Sequence, residues 1–249
     1  MNLIYRKAAA VKLGLSNIYN SDTFIVSFPK SGNTWLRFII ANMLTKELVT
    51  MKNIDEFVPD IYNFKKQINK KGEPRFIKTH NVNLKLYPKT IYIHRDYRDV
   101  LISYYHFQKN LGQYNGDLSS FIKEINTPFG SWNNHVKTAL NFKEHSPKRI
   151  LFLSYEDMLT NLPEKIELIA HFCGLTPIKS MEEIVKLCSF ESLKSVEEKH
   201  GRTFDTPNLT FFRSGKSKQW QTELSKEDQE FINTQNADLF KKLNYQING

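Results

Sequence analysis

Two cysteines, Cys173 and Cys188, are the only thiols in a chain of 249 residues. Two sulfurs supply neither a disulfide framework nor a four-thiolate zinc site, and such sparing use fits a reducing compartment, so a cytoplasmic protein is expected. Long apolar runs are missing too. No stretch approaches the roughly eighteen uninterrupted apolar residues of a membrane span. The lead-in over residues 1–20 has no apolar block longer than Ala8 to Val11. Neither a transmembrane segment nor a signal peptide is expected. Internal repeats, low-complexity tracts and nucleic-acid-binding modules are absent as well, and nucleic acid is not an expected partner. Acidic residues are the minority charge: 26 Asp and Glu stand against 35 Lys and Arg, a formal net charge of +9 that favours a polyanionic ligand. The densest basic cluster, Lys65-Lys66 with Lys70-Lys71, reads as a solvated loop or helix face.

What is present is enough apolar material, 40% of the residues, to bury a sizeable core in a single domain spanning 1–249. Four apolar, β-rich runs read as buried strands: Thr23 to Phe28, Arg75 to Thr79, Thr90 to His94 and Arg149 to Ser154. Helix-compatible stretches lie between them at Thr34 to Thr45, Asp99 to Lys109 and Leu118 to Ile125. This alternation specifies an α/β fold, a central, mostly parallel sheet flanked by helices on both faces. The later chain is mostly helical. Asn161 ahead of Pro163 reads as the N-cap of a helix ending at Gly174, while Ser180 with Glu183 and Ser225 with Asp228 make two capping boxes.

The strongest chemical signal is Phe24-Ile25-Val26-Ser27-Phe28-Pro29-Lys30-Ser31-Gly32-Asn33-Thr34-Trp35-Leu36, an apolar strand that enters a helix through a short Lys/Ser/Gly/Thr loop. Backbone N–H groups at a helix N-terminus point along the positive end of its dipole, so a loop of small residues delivering one lysine there makes an anion site. A Walker A loop reads G-x-x-x-x-G-K-[ST], with its lysine after the second glycine. Here Lys30 precedes the loop's only glycine, Gly32, and no Walker A motif occurs elsewhere.

Two further features point to the same sheet edge. Arg95 follows the strand Thr90 to His94, and open α/β sheets bind ligands at the carboxyl ends of their strands. Ser103, two turns into the next helix, can share an anion with it. His80 ends the strand Phe76-Ile77-Lys78-Thr79 and is the best candidate among seven histidines for a base titrating near neutrality. His106 is a candidate for the wall of an acceptor pocket. His94 is expected to be buried beside the sheet, His171 to sit on an apolar helix face, and His135, His145 and His200 to lie at the surface. No histidine pair has metal spacing with a third ligand, so no metal is expected.

Pro29-Lys30-Ser31-Gly32-Asn33-Thr34-Trp35 resembles the phosphosulfate loop of sulfotransferases, P-K-S-G-[TN]-T-W. Arg95-Asp96-Tyr97-Arg98-Asp99-Val100-Leu101-Ile102-Ser103 resembles the family's 3′-phosphate-binding segment, and Lys78-Thr79-His80 matches its K-[TS]-H catalytic element. The resemblance implies a P-loop-like sulfotransferase fold. It also implies in-line transfer of a sulfuryl group from 3′-phosphoadenosine 5′-phosphosulfate (PAPS) to a hydroxyl or amine of a small-molecule acceptor, leaving adenosine 3′,5′-bisphosphate (PAP). Lys30, Lys78 and His80 would be catalytic. Ser31, Gly32, Asn33, Thr34, Arg95 and Ser103 would hold the donor's phosphates, while Trp35, Tyr155, Cys188 and Phe190 would surround its adenine.

Arg213-Ser214-Gly215-Lys216-Ser217-Lys218-Gln219-Trp220 is similar to the family's R-K-G-x-x-G-D-W element, which implies that Arg213, Ser214 and Gly215 close on the 3′-phosphate. Ser214 stands where the family has lysine, so Lys216 or Lys218 is left to supply that charge. Asn81-Val82-Asn83 replaces the usual L-P after the histidine, and the family's K-x-x-x-T-V-x-x-x-E dimer element is missing after Trp220. Oligomeric state stays open. The acceptor, a natural product or a glycan or lipid, is expected to meet Met51 to Pro74, Tyr104 to Asn115 and His200 to Phe212. Two other readings remain: a P-loop nucleotide or small-molecule kinase, which needs a Walker lysine, and a non-catalytic adenosine-bisphosphate binder, which needs no base.

Overall fold

Four strands among the described residues, all parallel, set the frame: β1 (Thr23–Val26), β2 (Phe76–Thr79), β3 (Lys89–His94) and β4 (Ile150–Ser154), in the spatial order β2-β1-β3-β4. The structure, a computed structural model, describes residues 15, 17–62, 74–201 and 211–247. The Lys65-Lys66 and Lys70-Lys71 cluster therefore lies outside the described residues, as do parts of two stretches expected to meet an acceptor. Val26 pairs with Thr79 on one side and Tyr92 on the other, so β1 is central. The chain steps from β1 outward to β2 and then returns across β1 to β3. That reversal opens a crevice outside the carboxyl ends of β1 and β3, where doubly wound sheets take ligands.

Alternation along each strand feeds two different cores. Ile25, Ile91, Ile93 and Leu153 pack on one face of the sheet, whereas Phe24, Val26, Ile77 and Tyr92 pack on the other. The helices are α1 (Asn33–Leu44), α2 (Ile54–Phe57), α3 (Tyr97–Asn110), α4 (Leu118–Glu124), α5 (Trp132–His145), α6 (Tyr155–Thr160), α7 (Leu162–Cys173), α8 (Met181–Leu187), α9 (Phe190–His200), α10 (Trp220–Glu223) and α11 (Lys226–Lys242). α1, α7 and α8 cover the first face, through residues such as Ile39, Ile166 and Ile184, and α5 covers the second through Ala139 and Phe142. A third cluster joins α3 to α5 and α11, with Trp132, Val100 and Phe240 at its centre.

Element ends differ from the sequence reading for local reasons. β1 stops at Val26, and Phe28 packs in the third cluster, because the chain must turn ahead of Pro29, which has no N–H to continue a ladder. α3 begins at Tyr97 and not at Asp99, capped by Asp96, whose carboxylate accepts from the Arg98 N–H at 3.0 Å. Ser180 and Ser225 do cap α8 and α11. Asn161 makes no side-chain cap to α7; its amide donates instead to Asp157 at 2.8 Å. No helix among the described residues is long and apolar enough to cross a membrane.

Candidate active site at the carboxyl edge of the sheet

The loop after β1 is a left-handed turn that leads straight into α1. Lys30 has φ 65° and Gly32 φ 100°, and Gly32 precedes α1 with no side-chain cap, so the first N–H groups of the helix face the crevice. Glycine is required at position 32 twice over. A Cβ there would lie 2.6 Å from the Tyr155 ring, and the positive φ disfavours any L side chain. Ser31 lies behind the turn: its N–H donates to the Phe28 carbonyl at 3.3 Å, and its side chain is fully buried. It does not line the cavity, so the donor groups left at the loop are those of Gly32, Asn33 and Thr34.

Lys30 projects into a cavity of about 360 Å³. Its ammonium rests 4.1 Å from the centre of the Phe107 ring and 4.7 Å from that of Phe211. Burial, then repulsion from Arg95 and Arg213, pushes its pKa down to about 7, with Glu197 acting in the opposite direction.

Arg95, just past β3, is 6% exposed and lies over the Tyr155 ring with its guanidinium carbon 4.4 Å from the ring centre. One Nη donates to the Lys216 carbonyl at 2.9 Å, while Nε is buried with no partner among the described residues. Both neighbouring acids also have other partners. Asp96 is bound by Arg98 at 2.7 Å, and Asp99 stands 4.0 Å from Arg95 while accepting the N–H groups of Lys218 at 2.7 Å and Trp220 at 3.1 Å. Asp99 thus anchors the returning C-terminal segment beside Arg95. Burial raises its pKa to about 6, against the pull of Arg95.

That anchor brings Arg213, Ser214 and Gly215 onto the cavity wall. A Cβ on Gly215 would fall 2.2 Å from the Phe190 ring, so this glycine and Phe190 form one close contact. Arg213 donates to the Gln219 side chain at 2.7 Å and stands 3.6 Å from Glu223. Lys216 and Lys218 are exposed and off the wall, so neither occupies the place of the family lysine. Trp35, Ser103, Tyr155 and Phe190 line the cavity. Cys188 does not. Its thiol is buried and takes a 3.7 Å contact from Asn42, while its carbonyl accepts the Trp35 indole N–H at 2.8 Å, so it fixes Trp35 from behind.

On the β2 side, Lys78 and His80 share the cavity. The Lys78 ammonium is 2.9 Å from Asp60, and burial lowers its pKa while Asp60 opposes the shift. His80 Nδ1 lies 2.8 Å from the Ser27 carbonyl. A carbonyl only accepts, so Nδ1 carries the hydrogen and Nε2 keeps its lone pair. Burial, with Lys78 next, holds the His80 pKa well below its usual value, so the ring, against the expectation from sequence, does not titrate near neutrality and is a neutral acceptor at pH 7. Its ring centre lies 5.2 Å from that of Phe129.

Three histidine expectations need correction. His135 is 1% exposed, not at the surface, because α5 turns it inward beside Trp132 and Val136. His171 is exposed, since the apolar face of α7 runs through Ile166, Ile169 and Ala170. His106 does not line the cavity; it pairs with Glu223 at 3.1 Å. Met51 and Asp60, Phe107, and Phe211 reach the wall from the three stretches expected to meet an acceptor, while Phe129 lies outside all of them and was missed by sequence reasoning.

Residues 20–244 match the model of the sulfotransferase domain. Sulfotransferase 1B1 of Canis lupus familiaris is 31% identical over 230 residues, covering 80% of this chain and 77% of that protein. A flavonol 3-sulfotransferase of Flaveria bidentis is 28% identical over 248 residues, with 83% and 78% covered. Among solved structures, mouse sulfotransferase SULT7A1 complexed with PAP superposes with a TM-score of 0.69 at 25% identity, covering 90% of this chain and 84% of that one. The lysine loop, the arginine at the switch point and the histidine beside them thus sit in a chain that belongs to the sulfotransferase family, the PAPS-dependent enzymes.

Proposed function

We propose that the protein transfers a sulfuryl group from PAPS to a hydroxyl or amine of a small-molecule acceptor by in-line attack, with His80 as the base. The observation that carries this reading is that Lys30, His80 and Arg95, which leave three neighbouring strands, line one cavity. The residues fit the donor's chemistry. A buried guanidinium with a spare Nε–H, a capless helix N-terminus and a depressed lysine all await negative charge. When bound, PAPS supplies an activated sulfuryl group whose departure leaves charge on the 5′-phosphate.

Lys30 and the N–H groups of Gly32 to Thr34 stabilise that charge, Arg95 and Ser103 hold the 3′-phosphate, and Arg213 to Gly215 close over it. Trp35, Tyr155 and Phe190 bound the adenine. Lys78, paired with Asp60, faces the sulfuryl oxygens, and His80 Nε2 takes the acceptor's proton. Phe107, Phe129 and Tyr104 give the acceptor an apolar wall, suited to a natural product or the apolar part of a glycan or lipid. Among the described residues no three His, Cys, Asp or Glu side chains gather into a set that could hold a metal ion.

Radiolabelled PAPS offered with panels of phenols, alcohols, amines and sugars tests the reading. Transfer to at least one acceptor is expected, and His80→Ala is expected to cut turnover by about a hundredfold or more while PAP binding is retained. Turnover unchanged by that substitution reassigns the base, and no transfer to any panel contradicts the activity.

A further inference from the structure

His80 is the first residue beyond the β2 ladder, whose last pair is Val26 with Thr79. Its backbone groups therefore have no strand partner, and side chains satisfy them. The His80 N–H donates to the Tyr62 hydroxyl at 3.1 Å, and its carbonyl lies 2.9 Å from His135 Nε2. A carbonyl only accepts, so Nε2 of His135 carries the hydrogen. The other ring nitrogen, Nδ1, lies 2.7 Å from the hydroxyl of Tyr92, which donates to it and holds His135 in that tautomer. Tyr92 is fully buried on β3 and His135 is 1% exposed, with Phe28 set edge-on against the imidazole at 5.7 Å between ring centres. The relay thus runs from the middle of the sheet, under the lysine loop, to the main chain of His80.

We propose that His135, oriented by Tyr92, is a positioning residue for His80: it fixes the peptide after the histidine so that the imidazole keeps its Ser27 contact and presents Nε2 to the cavity. This rests on the reading of His80 as the base. A positional error of about 1 Å at a reacting group is enough to cost on the order of a hundredfold in rate. Burial, opposed by the bond to the His80 carbonyl, depresses the His135 pKa to about 4, which keeps it a neutral relay at working pH and not a second base. Burial likewise keeps the Tyr92 hydroxyl protonated as a donor.

The test compares His135→Phe, His135→Gln and Tyr92→Phe by nitrogen NMR of the histidine-labelled protein and by kinetics with PAPS and β-naphthol. In the native protein His80 is expected as a single Nδ1–H tautomer. His135→Phe is expected to mix its tautomers and lower kcat by about tenfold to a hundredfold, with the KM for PAPS within about twofold. His135→Gln, which keeps an N–H donor, restores most of the loss, and Tyr92→Phe shows a smaller fall in the same direction. An unchanged His80 tautomer in His135→Phe, or His135→Gln falling as far as His135→Phe, overturns the proposal. If His135→Phe does not fold, an unchanged His80 tautomer and kcat in Tyr92→Phe overturn it. If the native protein transfers nothing to any acceptor, the activity fails on its own, and the NMR comparison still decides the positioning role.

Discussion

The two ends of the cavity are built in different ways. At the end assigned to the donor, residues arrive in contiguous blocks, Pro29 to Trp35, Arg95 to Ser103 and Arg213 to Trp220; Asp99 of the second block holds the third, and Tyr155 backs both Gly32 and Arg95. At the end assigned to the acceptor, Met51, Phe129 and Phe211 come from separate segments and join Tyr104 and Phe107 of α3 on the wall. A ligand of fixed charge geometry demands backbone N–H groups and guanidinium forks at set distances, so its site is written in short motifs. An apolar wall demands only volume and leaves little trace in spacing.

The sharpest break should come at Gly32. Gly32→Val forces a branched side chain into the Tyr155 ring at positive φ, and PAP binding measured by calorimetry should fall by more than about a hundredfold, with a stability loss of about 2 to 4 kcal/mol. Arg95→Ala follows. Donor binding should weaken by about 2 to 3 kcal/mol without loss of fold, and an unaltered dissociation constant contradicts the 3′-phosphate contact. Lys30 adds a pH signature. Its pKa is about 7 in the free protein, so above that pH the lysine must take up a proton as the anionic nucleotide binds. PAP affinity should then fall as pH rises, by up to about tenfold per unit, with proton uptake visible in buffers of different ionisation enthalpy. The smallest effect belongs to the other end: Phe129→Ala should raise the acceptor KM by about tenfold while PAP affinity stays within about twofold.

How much of this was legible follows from the same contrast. The strands were readable because each is a short apolar run, and the order of Lys30, His80 and Arg95 along the chain follows the strand ends that carry them. Ser31 and Cys188 sit inside matching motifs yet face away, since a motif specifies chain order and not which way a side chain turns. His135 was readable in principle. It lies three residues after Trp132 and one before Val136, on the helical face that also carries Ala139, and that spacing marks a buried position. His171 is the converse, adjacent to buried Ala170 but turned to solvent. Arg98 was not legible: its guanidinium is buried 3.5 Å from the Trp220 ring and 4.7 Å from that of Phe240, partners more than a hundred residues away.

The central claim is that one nucleotide spans the Lys30 loop and Arg95 with His80 at the open side. Crystallography of the protein with PAP tests it most directly. The account predicts the 5′-phosphate at Lys30 and the N–H groups of Gly32 to Thr34, the 3′-phosphate on Arg95 and Ser103, and His80 Nε2 facing the space beyond the 5′-phosphate. A nucleotide bound with either phosphate away from these residues, or with His80 turned from the phosphate it should flank, contradicts it.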